Sequence, residues 1–190
     1  MLVGLWCMPL MLPRGGHAQN ANSCSMPLGT PAESAGLEQY KSIPIQGSDV
    51  IIIAPNGGQF NFRKQRKTTD LTPIFGAPTR IDDFYYEMDD MWVKKWIHPG
   101  AYFLITSERF DIFNIKGPGF RLSLKGAVLE VGKPVDELAK AFPDFNNYII
   151  ENCAVPFTFQ TSTGELSDEF IEIQFDPITR KVTWMASGML

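Results

Sequence analysis

The sequence predicts an α+β fold, with short helices packed on antiparallel β-sheet in two tandem, similar units. A short pattern occurs at residues 70–76 and again at residues 137–143: an acidic residue, Leu, two further residues, an apolar residue, Phe and a helix-stopping residue. Each copy is followed by segments rich in aromatic and β-branched residues, which favour strands. A pattern that recurs at a fixed spacing is typical of a duplicated unit. We therefore expect units at residues 48–118 and 119–188.

A hairpin is the strongest local signal of the first unit. Residues 50–54 and 59–63 flank Asn56-Gly57, a pair that accepts the positive φ angles of a tight turn. Further strands are predicted wherever aromatic and β-branched residues lie between turn formers. These are residues 84–88, 91–97, 102–106, 111–115, 120–124, 148–150, 156–160, 169–175 and 181–185.

Two short helices are predicted, one in each unit. The first follows Thr68 or Thr69, carries an apolar stripe over residues 71–75 and ends at Gly76. The second begins at Pro134, which suits the first helical position, and is ended by Pro143. Each helix would lay its apolar stripe on the sheet of its own unit.

Composition limits the class of protein. The 190 residues are 44% hydrophobic and 12% aromatic, which is enough to build a core. The net charge is −4, and the only basic run, residues 63–67, is short. Because nucleic acid needs clustered Lys and Arg over a broad surface, we expect no nucleic-acid partner.

The N-terminal residues are typical of a targeting segment. Residues 1–12 are almost entirely apolar and too short to span a bilayer, and small residues follow near Ala18. We therefore expect a signal peptide over residues 1–19 and an exported protein, periplasmic or extracellular. The usual positive charge before the apolar run is missing, so a buried N-terminal segment is the alternative. Residues 20–47 are rich in turn formers and predict a flexible linker.

The cysteines agree with export. Cys7 lies in the expected signal peptide, so Cys24 and Cys153 remain as a candidate disulfide pair in an oxidising compartment. One alternative is lipid modification of Cys24, the only case in which we expect membrane attachment. The other is that both thiols are free and Cys153 is buried.

The pattern Phe75-Gly76-Ala77-Pro78 and the Val131–Leu138 entry into a helix that ends in Phe-Pro, each followed by a strand meander, resemble the β-lactamase-inhibitor-protein-like fold. Small outer-membrane lipoproteins of the SmpA/OmlA group share that fold, and tandem copies occur in secreted bacterial proteins. The resemblance would cover residues 48–188. It implies a helical layer on an antiparallel sheet that binds protein and is not catalytic.

Catalytic and metal-binding patterns are scarce. His17 and His98 are the only histidines, and the sequence has no nucleophile elbow, phosphate loop, dinucleotide fingerprint or Cys-x-x-Cys. We therefore expect no enzyme, no metal site and no cofactor. The alternative is a secreted hydrolase of unrecognised type that uses acidic residues. Its candidates are Asp82, Asp83, Glu87, Asp89, Asp90, Glu169 and Glu172, besides a loose His98, Cys153 and Asp111 set.

Aromatic residues are concentrated between residues 84 and 113. On alternating strands about half of them would face outwards, and exposed Trp and Tyr are common anchors of binding surfaces. The alternative is that most of them pack in the core. The candidate surface comprises Tyr85, Tyr86, Trp92, Trp96 and Tyr102. We therefore predict a noncatalytic exported module, protein-binding or associated with the cell envelope, whose protein partner is unknown.

Overall fold

The computed structural model describes residues 41–87 and 90–189, and within them the chain forms two β-sheets that enclose one core. The strands are β1 Ile43–Ile45, β2 Val50–Ile53, β3 Gln59–Asn61, β4 Arg80–Tyr86, β5 Met91–His98, β6 Ala101–Ile105, β7 Phe110–Ile115, β8 Arg121–Leu124, β9 Ala127–Glu130, β10 Ala154–Gln160, β11 Leu166–Phe175 and β12 Val182–Met189. The α-helices of the described residues are α1 Phe62–Gln65 and α2 Thr72–Phe75. Short 3-10 helices occupy Gly47–Asp49, Val135–Lys140 and Phe145–Tyr148.

The larger sheet has eight strands in the order β1-β10-β11-β12-β7-β6-β5-β4, and the smaller has four in the order β3-β2-β8-β9. The β1–β10 pair is parallel and the other pairs are antiparallel. We call the face of the large sheet that carries Phe103 its inner face, because Phe103 is fully buried in the core. The opposite face is the outer face.

The prediction of an α+β fold is wrong, because the structure is all-β. The first predicted helix is a single turn, α2, which begins after Leu71 and is ended by Gly76 at a φ of +81°. The few hydrogen bonds of a single turn do not offset the free-energy cost of helix nucleation, so the turn persists only because Leu71 and Phe75 are buried. A helix this short adds two side chains to the core and cannot form a layer on a sheet.

The second predicted helix is also absent as an α-helix. Pro134 adopts an extended conformation, and Val135–Lys140 forms a 3-10 helix that buries Val135 and Leu138. The strand predicted at residues 148–150 is replaced by the end of the 3-10 helix Phe145–Tyr148 and a single bridge from Ile150. Poorer hydrogen-bond geometry limits 3-10 helices to short runs, so this segment connects strands and forms no layer.

Strands from the two predicted units are interleaved in both sheets. In the small sheet β2 pairs with β8, where Ile52 lies opposite Leu122. In the large sheet β7 pairs with β12, where Ile115 lies opposite Met185. The two ranges therefore share both sheets and one core. The predicted linker over residues 20–47 ends in β1, and its residues 20–40 lie outside the described residues.

Aromatic rings join the two sheets. Phe60 of β3 and Phe110 of β7 have ring centroids 4.6 Å apart, and Phe75 of α2 lies 4.7 Å from Phe103 of β6. All four side chains are buried. Large rings at such separations provide both apolar burial and aromatic contact energy. No helix of the described residues is long and apolar enough to cross a membrane.

The predicted hairpin joins β2 to β3. Its turn is closed by a hydrogen bond from the Ala54 amide to the Gly58 carbonyl, and Gly57 has a φ of +87°. The Asn56 side chain accepts from the Gly58 amide at 2.9 Å. A Cβ atom at Gly58 would lie 1.8 Å from the carbonyl oxygen of Ile74, so this position requires glycine. The hairpin thereby fixes α2 against the end of the small sheet.

Candidate functional site

The β4–β5 hairpin carries apolar side chains that the core leaves exposed. Trp92 is 69% exposed, Ile81 48% and Tyr85 41%, and all three lie on the inner face. Tyr85 lies directly opposite Trp92, and their ring centroids are 5.3 Å apart. We call Ile81, Tyr85 and Trp92 the hairpin patch. Because β4 is the last strand of the large sheet, the patch lies at the edge of the sheet.

The five aromatic residues predicted as a binding surface do not share one face. Tyr85, Trp92 and Trp96 lie on the inner face, whereas Tyr86 and Tyr102 lie on the outer face. Trp96 is buried, and Tyr86 and Tyr102 are half-buried. The structure therefore brings Tyr85 and Trp92 together and separates the other three. Side chains alternate along a strand, so the odd and even numbering of these residues already contained this division.

The sequence interpretation missed three exposed apolar side chains of the same hairpin. Ile81 completes the hairpin patch, and Phe84 and Met91 are exposed on the outer face. Their exposure reflects the position of β4 at the end of the sheet that the described strands form, which cannot be read from local composition.

Charged groups lie on both faces of the hairpin. Asp83 lies opposite Lys94 on the inner face, between Ile81 and the Tyr85–Trp92 pair, and pairs with Lys94. Arg80 pairs with Asp82 at 2.9 Å on the outer face. The Tyr85 hydroxyl donates to Asp90, and this hydrogen bond raises the pKa of Tyr85. Exposed pairs of this kind contribute little stability.

Four of the eight acidic residues considered for hydrolysis are paired with cations: Asp82, Asp83, Asp111 and Glu169. Arg66 forms two hydrogen bonds to Glu169, which raise the pKa of Arg66. Asp111 is buried and lies 3.2 Å from Arg109 and 3.9 Å from Arg66. Arg66 and Glu169 border a recess of about 370 Å³ next to α1. Both oxygens of the Glu169 carboxylate accept from the guanidinium of Arg66, so the arrangement favours a structural role.

The remaining residues considered for catalysis, Glu172, His98 and Cys153, each lie in a different environment. Glu172 lies on the outer face, is 5% exposed and accepts a hydrogen bond from Gln174; burial raises its pKa. His98 is buried against phenylalanine rings, and burial lowers its pKa. Cys153 is buried and disulfide-bonded, so it has no thiolate to offer. Its predicted partner Cys24 lies outside the described residues.

Metal ligands are not clustered in the part of the chain that the structure describes: no group of three or more His, Cys, Asp or Glu could hold an ion there. Asp89, one of the acidic residues considered above, lies outside that part.

No family model, curated protein or solved structure matches this chain. The resemblance to β-lactamase-inhibitor-protein-like domains stays a prediction. What the protein binds is therefore inferred from its own surface.

Proposed function

We propose that this protein is an exported, noncatalytic module that binds another protein through the hairpin patch. The observation that carries the proposal is the exposure of Trp92, 69%, in contact with the exposed ring of Tyr85, while Ile81 is exposed further along the same face of β4. Exposed Leu or Ile residues scattered singly are ordinary, but two exposed aromatic rings in contact with each other are typical of an interaction site. Trp and Tyr are also the residues that most often carry interface energy.

Within residues 41–87 and 90–189, no strand pairs with the far edge of β4, and this supports the same assignment. An edge strand exposes unpaired backbone groups to which a partner strand can add. Arg80, Asp82 and Asp83 on this strand are the kind of charges that oppose indiscriminate pairing. We therefore propose that the partner is selected by an apolar surface that covers Trp92 and Tyr85.

The disulfide of Cys153 supports export. Structural disulfides persist in the periplasm and outside the cell and are rare in the cytosol.

The experiment uses a photoreactive amino acid in place of Trp92 in the full chain, produced in cells and cross-linked there. A matched control carries the same group at Ile178, which is 79% exposed on the β11–β12 turn. We expect one protein to be cross-linked from position 92 and not from position 178. The affinity of the purified pair is then measured with Trp92→Ala and with Ile178→Ala.

Loss of a central anchor side chain weakens binding tenfold or more. We expect that loss for Trp92→Ala, with no change for Ile178→Ala and unchanged melting temperatures for both. Equal cross-linking from the two positions, or unchanged affinity in Trp92→Ala, would show that the hairpin patch is not the binding surface.

A further inference from the structure

A second recess lies on the outer face of the large sheet, away from the hairpin patch. It has a volume of about 220 Å³ and opens between β5, β6 and β7. Lys95, Tyr102, Asn114 and Lys116 supply its polar groups. This volume is below the range of drug-sized sites, so the recess suits a small ligand.

Two lysines flank the recess without a carboxylate to neutralise them. The Nζ atom of Lys95 lies 4.2 Å from the ring centroid of Tyr102, and that of Lys116 lies 5.7 Å from the ring centroid of Trp184. Neither lysine forms an ion pair within 4.0 Å with any acid of the described ranges 41–87 and 90–189. Asp82, which lies across from Lys95, pairs with Arg80 instead. In a protein of net charge −4, this is a local concentration of positive charge.

The floor of the recess is a buried hydrogen-bond network. The indole Nε1–H of Trp184 donates to Asn114 Oδ1 at 3.0 Å, and Asn114 is only 6% exposed. This bond occupies the carbonyl oxygen of the amide and leaves its NH₂ group as a donor. The Tyr102 hydroxyl also lines the recess and can donate to a ligand. The recess therefore offers two ammonium groups and one hydroxyl donor.

We propose that this recess binds a small organic anion, with charged oxygens held between Lys95, Lys116 and the Tyr102 hydroxyl. Donors without matching acceptors select an acceptor-only group, and a carboxylate or a phosphate is such a group. Lysine binds either anion as a point charge, so the recess recognises the charge and the acceptor oxygens. Aromatic rings below both ammonium groups hold the lysine side chains in place before the ligand arrives.

The test follows the indole N–H signal of Trp184 by NMR in the ¹⁵N-labelled full chain. One titration uses inorganic phosphate, a second uses glucuronate, and a third uses sodium chloride to the same ionic strength. We expect a saturable shift with at least one of the first two and none with chloride. Saturation by phosphate alone or by glucuronate alone identifies the anion class, and saturation by both assigns a general oxyanion site.

Lys95→Met and Lys116→Met should each weaken the saturable binding about tenfold or more, since each removes a charged contact. Tyr102→Phe should weaken it severalfold through loss of one hydroxyl donor. Lys133→Met, at an exposed lysine outside the recess, is the matched control and should leave it unchanged. The melting temperature of each variant shows that it is folded. The proposal is overturned if neither anion saturates, if chloride gives the same shift, or if the control loses as much affinity as the recess variants.

Discussion

Acidification from pH 8 to pH 5 should destabilise this protein through His98. The imidazole is 6% exposed, and its Nε2 atom is buried with no hydrogen-bond partner among residues 41–87 and 90–189. The rings of Phe75, Phe103 and Phe120 surround it, with centroids 5.5 to 6.4 Å away. Protonation would place a charge among hydrocarbon groups that cannot solvate it, so burial lowers the pKa of His98.

The sign and size of the effect follow from linkage. An imidazole of the unfolded chain titrates near pH 6.5, whereas the folded imidazole takes up its proton only at lower pH. The contribution of His98 to the free energy of unfolding is therefore fully present above about pH 6.5, and it is lost as the pH falls toward the pKa of the folded imidazole. Because one pH unit corresponds to about 1.36 kcal/mol, the loss between pH 6.5 and pH 5 is at most about 2 kcal/mol. That is a sizeable part of a typical domain stability of about 5–15 kcal/mol.

Urea unfolding of the wild type and of His98→Leu at pH 8, 6.5 and 5 measures this loss. Other titrating groups contribute equally to both proteins, so the difference between their free energies of unfolding isolates His98. We expect the difference to change by up to about 2 kcal/mol between pH 8 and pH 5, with the wild type losing more. Parallel profiles, or a wild type that gains relative to the variant on acidification, would refute a buried neutral imidazole.

Two further outcomes are expected. Phe103→Ala should lower the free energy of unfolding by about 3–5 kcal/mol, because it leaves a cavity in the shared core. A loss under about 1 kcal/mol in urea unfolding would contradict the packing described above. Proteolytic digestion without reductant should release a peptide in which Cys24 is joined to Cys153. The Cys24→Ser variant should not give this peptide. Detection of Cys24 as a free thiol or in a lipid-modified form by mass spectrometry would contradict the pairing.

The strands were largely predictable from the sequence, and their pairing was not. Aromatic and β-branched runs bounded by turn residues located β4 to β8 and β10 to β12 within a few residues. Asn56-Gly57 located the β2–β3 turn, because a tight turn depends on two adjacent residues. The pairing of β2 with β8 depends on side chains 70 residues apart, and no local pattern encodes it.

The helix predictions were wrong for a related reason. Leu71, Ile74 and Phe75 have helical spacing, but that spacing only requires their burial, and one turn ended by Gly76 satisfies it. The division of the five candidate aromatic residues into exposed and covered side chains could not be predicted locally, because exposure depends on which described strand has no neighbour. Tyr85 and Trp92 lie beyond the reach of the small sheet, whereas Trp96, four residues further along the same strand, is covered.

The position of β12 between β7 and β11 sets when this molecule can fold during its synthesis. Neither the β4–β7 meander nor the β10–β11 pair can join the other until residues 182–189 have left the ribosome. Pairing between strands that are distant in sequence makes folding slow, because closing the loop between them costs entropy before the stabilising contacts can form. A nascent chain that stays unfolded this long would be compatible with the export proposed above, in which the chain crosses a membrane before it folds.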